Sequence, residues 1–93
     1  MPPNFSAMPE IVYTPGFLRQ YKKLEDDLKE EVKEEIQLFA KDTKKKSLKT
    51  HRLKDKLKKY WSFSVNYKYR IVCEYDSKSV VALLSVGDHD VYK

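Results

Sequence analysis

Between Lys59 and Trp61 the repeat of apolar side chains changes from one in three or four to one in two. That switch restricts the chain to folds that lay helices on a sheet. Upstream, Phe17, Tyr21, Leu24, Leu28, Val32, Ile36 and Phe39 form one continuous apolar stripe, as expected of a helix or a close helix pair with one buried face. Thr14 and Pro15 form a helix start, the threonine as cap and the proline at the first position, where its missing N–H costs nothing. A break is expected near Glu25–Asp27, because Asp27 with Glu30 three residues on has the form of a capping box opening a second helix.

Downstream, Trp61, Phe63 and Val65 alternate with Ser62, Ser64 and Asn66, and Tyr69, Ile71, Cys73 and Tyr75 alternate with Arg70, Val72 and Glu74. A further apolar run covers Val80 to Val86, and a short strand is expected at Glu10–Thr14. The short links at Asn66–Lys68 and Asp76–Ser79 favour antiparallel hairpins. The expected fold is α+β: a small antiparallel β-sheet in the order β-α-α-β-β-β, two N-terminal helices packed on one face, the other face open to hold a ligand. Ninety-three residues allow one such domain, here 9–93, with residues 1–8 as a flexible lead-in.

Several functions are excluded or disfavoured by residue usage. The two glycines lie far apart, so there is no phosphate-cradling glycine loop, and the metal spacings His-x-x-x-His and Cys-x-x-Cys are absent. No metal and no cofactor are expected. The lone Cys73 has no internal disulfide partner and sits among apolar neighbours, where packing is its expected role. Without a run of membrane-spanning length or a charged-then-apolar leader, the expected location is cytoplasmic, with no membrane partner.

Charge is distributed unevenly. From Lys41 to Lys59 ten Lys or Arg face two Asp, whereas the remainder is net acidic, so the overall +5 is concentrated in one segment. Segregated positive charge suits a polyanion; a solvated lysine-rich loop is the alternative. Near this segment stand His51 and, after Gly87, His89, the only two histidines. An imidazole titrates near neutrality and suits general acid or base work. Tyr92 adds a second proton-carrying group near His89. Strand alternation places Arg70 opposite Ile71 and Cys73, out from the middle of the sheet, either paired with Glu74 or free to grip a phosphate through two parallel hydrogen bonds. RNA cleavage needs a base for the 2′-hydroxyl, an acid for the departing 5′-oxygen and a cation for the phosphorus oxygens. His89, Tyr92, Arg70 and His51 supply such groups.

The stretch "HRLKDKLKKYWSFSVNYKYRIVCEY", followed by "VVALLSVGDHDVY" and preceded by the "TPGF" helix start, resembles the RelE/ParE superfamily of bacterial toxin–antitoxin toxins, from about Ile11 onward. The resemblance implies an antiparallel sheet with two N-terminal helices and, for the RelE-like branch, an endoribonuclease that cuts mRNA, commonly inside the ribosome, to stop translation. Arg70 falls where RelE-like toxins carry a strand arginine contacting the scissile phosphate. His89 and Tyr92 match the C-terminal histidine or basic position and the terminal aromatic, and His51, Arg52 and Lys54 match the basic region before the hairpin. Lys45, Lys46 and Lys49 are expected to hold the RNA backbone beside them. The loop between His89 and Tyr92 is shorter than in some relatives. By family, the partners are a cognate antitoxin, mRNA and the ribosome. The ParE-like branch instead inhibits DNA gyrase without catalysis, and a degenerate toxin that binds RNA or ribosomes without cutting is a third form.

Overall fold

The computed structural model describes residues 9–77 and 79–88. The elements run β1 (Glu10–Tyr13), α1 (Pro15–Lys22), α2 (Asp26–Lys41), β2 (His51–Arg52), β3 (Trp61–Ser64), β4 (Arg70–Ser77) and β5 (Val80–Gly87), with 3-10 turns at Lys46–Leu48 and Asp55–Leu57. They form one five-stranded sheet in the order β1-β5-β4-β3-β2. All six expected elements are present. The additional β2 has two residues, too few for alternation to register in the sequence. The segment expected to be a flexible lead-in, 1–8, lies outside the described residues.

The sheet is mixed, where an antiparallel one was expected. β2, β3, β4 and β5 pair antiparallel, but β1 lies parallel to β5, with Ile11 opposite Val81 and Tyr13 opposite Leu83. Hairpin links force an antiparallel arrangement, whereas β1 reaches its neighbour through the body of the fold and is free of that constraint. Thr14 locks the junction. Its N–H and hydroxyl both donate to the Leu83 carbonyl, at 3.2 and 2.8 Å, and its hydroxyl oxygen accepts from Phe17 N–H at 3.2 Å. One threonine thus caps α1 and ties it to the sheet, with Pro15 in the first turn as expected.

The start of α2 differs from expectation. Its N-cap is Glu25, which makes no side-chain capping bond, and the helix already includes Asp26 and Asp27. Asp27 is therefore not a cap. Two carboxylates in the first turn oppose the positive end of the helix dipole and take over part of the cap's stabilising role.

The buried cluster between helices and sheet contains Phe17, Val32, Ile36, Phe39, Leu48, Phe63, Val65, Ile71, Cys73, Val81, Leu83 and Val86. At its centre the Phe39 and Phe63 rings stack at 4.2 Å with 6° between planes. Between Val72 and Cys73 the register on β5 jumps from Ser85 to Leu83, a bulge that turns both Leu83 and Val86 toward the helices. This explains why the Val80–Val86 run is apolar without strict alternation. Burial pushes the Cys73 thiol up to about 12, so it packs as a small apolar group.

The second face is not bare, contrary to expectation. Leu53, Ser62, Ser64, Val72 and Ala82 are buried yet lie outside the helix-side cluster. Leu53 N–H donates to the Tyr60 carbonyl at 3.0 Å, carrying the β2–β3 ladder one step further and bringing Leu53 onto the same side as His51. Serines at alternate positions read as open surface, but their small side chains bury readily.

On α2, burial first, and then the neighbouring Glu31 and Glu34, raise the Glu35 carboxyl above the ordinary glutamate value. A native pKa above the unfolded one means that the ionised group opposes folding at neutral pH, and that this opposition is relieved as pH falls through the raised value. Glu35→Gln is expected to raise the unfolding midpoint at pH 7, since the like-charge i,i+4 pair with Glu31 costs about 0.2–0.5 kcal/mol. The gain should vanish once the pH is below the unfolded glutamate value, a comparison that thermal unfolding at two pH values makes directly.

Candidate nucleic-acid interface

The link from β3 to β4 is organised by Asn66. Its side-chain oxygen accepts from Lys68 N–H at 2.9 Å and Tyr69 N–H at 2.8 Å, while Val65 N–H donates to the Tyr69 carbonyl at 3.0 Å. An asparagine that satisfies the backbone of its own turn in this way fixes the loop's shape. The Asn66 amide also donates to Glu31 Oε1 on α2 at 2.9 Å. Loop and helix are therefore braced together.

Arg70 opens β4 from this braced loop. Its Nη1 donates to the Asn66 carbonyl and, at 3.1 Å, to the Tyr69 carbonyl. A guanidinium has five N–H donors, and two carbonyls on Nη1 leave the Nε and Nη2 edge without a hydrogen bond among the described residues. That edge is the one that grips a carboxylate or phosphate with two parallel bonds. No ion pair joins Arg70 to Glu74, one of the two arrangements expected. Arg70 stands in the central strand of the sheet, but at its first residue and half-buried.

At the free edge of β2 lies a cleft of about 420 Å³ lined by Lys44, Lys45, Lys46, Lys49 and Arg52 together with His51, Thr50 and Trp61. Local geometry gathers these cations. The 3-10 turn at Lys46–Leu48 buries Leu48 completely, and Lys49 after it adopts a left-handed conformation at φ 51°, ψ 41° that turns the chain back into β2. His51 Nδ1 lies 2.9 Å from the Lys49 carbonyl. A carbonyl only accepts, so Nδ1 carries the proton there and Nε2 is the nitrogen left to act. Arg52 Nε donates to the Lys58 carbonyl, which sets its guanidinium against the Leu53–Tyr60 loop.

Register relates the two features. His51 is opposite Ser62, Ser62 opposite Val72, and Ser64 opposite Arg70, so His51 and Arg70 share a face, offset by two strands and two residues. With strands about 4.8 Å apart and a rise of about 3.3 Å per residue, their Cα atoms are on the order of 12 Å apart. Arg70 does not line the cleft. Of the expected site residues, Lys45, Lys46, Lys49, His51 and Arg52 come together, Lys54 is exposed beyond the lining, and His89 and Tyr92 lie outside the described residues. Sequence reasoning missed Lys44, Thr50 and Trp61 in the cleft, and Asn66 under Arg70. Lys44 and Thr50 lie inside the basic run, Trp61 stands two residues past its end, and Asn66 carried only the signal of a turn residue.

The family model for the ParE-like toxin domain matches residues 26–93. The chain belongs to the ParE-like toxin family. No curated protein sequence matches this ParE-like toxin. Among solved structures it is similar to YafQ from E. coli strain BL21(DE3), at 17% identity and TM-score 0.74 over 91% of this chain and 98% of that one. The YoeB/ParE toxin from Agrobacterium tumefaciens aligns at 18% identity and TM-score 0.71 over 86% and 98% of the two chains. The RelBE2 toxin–antitoxin complex from Mycobacterium tuberculosis contains a chain similar at 20% identity and TM-score 0.69 over 88% and 99%. These likenesses establish the RelE-like fold of the ParE-like toxin. Among the described residues no helix is long and apolar enough to cross a membrane, and no group of three metal-ligating side chains occurs.

Proposed function

We propose that this ParE-like toxin is the RNA-cleaving member of a toxin–antitoxin pair, acting on mRNA by 2′-hydroxyl attack. The observation that carries the reading is the guanidinium of Arg70, held by two loop carbonyls with its Nε–Nη2 edge uncommitted, on the same sheet face as His51 of the cationic cleft. The cleft holds the flanking phosphates through Lys45, Lys46, Lys49 and Arg52, with Lys54 beside them, and the scissile phosphate docks on Arg70.

In the reaction, a base removes the 2′-hydroxyl proton, the oxygen attacks phosphorus, and the bond to the 5′-oxygen breaks as an acid protonates it. A 2′,3′-cyclic phosphate and a 5′-hydroxyl result. Arg70 stabilises the charge that grows on the phosphorus oxygens. His89 and Tyr92 share the proton transfers; the chain leaves β5 at Gly87, the register partner of Arg70, on its way to them. His51, one nucleotide or more away by the spacing above, assists by holding a neighbouring phosphate through Nε2. A cognate antitoxin, acidic or amphipathic, would silence the protein by covering the basic cleft and sheet, a reading supported by the similarity to a chain solved within a toxin–antitoxin complex.

The ParE-like kinship makes gyrase inhibition the competing activity. Purified protein is incubated with mRNA on ribosomes and with free mRNA, new 5′ ends are mapped, and gyrase supercoiling is assayed in parallel. New 5′-hydroxyl ends with unaffected supercoiling are expected. Intact mRNA with blocked supercoiling would replace this proposal with the gyrase one.

A further inference from the structure

Tyr67 is the most exposed large hydrophobic side chain among the described residues, 88% accessible at the tip of the β3–β4 link. It makes no hydrogen bond or ring contact among those residues, so packing gives no account of it. A mobile tip would be unremarkable, but this one is fastened on both sides of Tyr67 by the Asn66 bonds to Lys68 and Tyr69 and by the Asn66–Glu31 brace. The ring is therefore presented to solvent from a fixed backbone. A surface aromatic held in that way resembles the stacking platforms on which unpaired bases lie flat.

Its neighbours point to the same ligand. Lys68 Nζ lies 5.5 Å from the centroid of the Tyr69 ring, so a cation is stationed immediately beyond Tyr67. The carbonyl of Asn66, the residue just before Tyr67, accepts from Arg70 Nη1. Ring, ammonium and phosphate-gripping guanidinium thus follow one another within four residues. Aromatic faces interleaved with cations suit a single strand, whose bases and phosphates alternate in the same way.

We infer that Tyr67 is a base-stacking residue for single-stranded RNA, receiving a base adjoining the phosphate held by Arg70. The inference rests on the RNA-cleaving reading and adds to it a place where one nucleotide is splayed and gripped by its face. Such contact is sequence-tolerant, because every base has a π-face, and it favours unpaired over duplex substrate. It is separate from the cleft, whose lining does not include Tyr67.

The test uses the full chain and a short 2′-O-methylated oligoribonucleotide, which cannot be cut by 2′-hydroxyl attack. Affinity is measured for the wild type, Tyr67→Trp, Tyr67→Leu and Tyr67→Ala, with the oligonucleotide intact and with a single abasic residue moved along it. Tyr67→Ala and Tyr67→Leu should weaken binding of the intact strand about 5- to 100-fold, the range set by stacking on one base, and Tyr67→Trp should restore it. The slope of affinity against salt should be the same in all four proteins. For the wild type, affinity should drop at one abasic position, and that drop should be missing in Tyr67→Ala. Full-strength binding by Tyr67→Leu, or no abasic-sensitive position in the wild type, overturns the stacking role while leaving the nuclease reading intact. A wild type that binds no RNA overturns both.

Discussion

Arg70→Ala is expected to lose the proposed RNA cleavage by at least the factor of about 10²–10³ that follows removal of one donor to a developing oxyanion, and cells expressing it are expected to keep growing. The expectation comes from where the side chain is anchored. Both carbonyl contacts belong to Nη1, so the substitution deletes two loop hydrogen bonds, at roughly 1 kcal/mol each, together with the uncommitted Nε–Nη2 edge. The fold should survive, because Arg70 is half-buried and outside the apolar cluster. Arg70→Lys sharpens the comparison. An ammonium keeps the charge but has no planar edge with which to make two parallel bonds, so most of the loss should persist. Rates of mRNA cleavage, measured with circular dichroism as the control for folding, decide the matter, and a variant that cuts at the wild-type rate would remove Arg70 from the mechanism.

Phe63→Ala carries the largest expected effect on stability. Phe63 and Phe39 are both fully buried and stacked at 4.2 Å, one on β3 and the other on α2, so the pair fastens the helix layer to the sheet. Removing a buried phenyl ring costs about 3–5 kcal/mol. A chain of this size has roughly 5–14 kcal/mol in total, at 0.05–0.15 kcal/mol per residue. The variant should therefore populate the unfolded state at modest denaturant, with Phe63→Leu in between. Chemical denaturation measures the difference, and a loss below about 1 kcal/mol would mean that the ring is not where α2 and the sheet are joined.

What the sequence disclosed about the fold was its periodicity. Phe17 through Phe39 marked the helical layer, and Phe63, Ile71 and Cys73 marked the buried side of the sheet, because burial on one face imposes a repeat that any reader can count. Features set by distant partners left no such trace. The parallel pairing of β1 depends on Leu83 accepting from Thr14, the burial of Ser62 and Ser64 depends on what lies over them, and the start of α2 at Asp26 overrides an apparent cap at Asp27. At the site, the basic run was visible as composition, yet which lysines converge was decided by the turn at Lys49, a left-handed residue that is not a glycine. Arg70 could be picked out by alternation, but its brace could not, since Asn66 and Glu31 meet only in three dimensions.

β5 is synthesised after the other four strands, yet it lies between β1 and β4. The first strand to be made therefore waits for the last, and the hydroxyl of Thr14 waits with it for the Leu83 carbonyl. Closing a loop that encompasses almost the whole described chain is an entropic obstacle of the kind that slows folding. While the ribosome is still adding β5, a nascent chain lacks its finished platform, and Arg70 lacks Gly87 at its side. Any harm the protein does is thereby postponed until its own translation has passed that point.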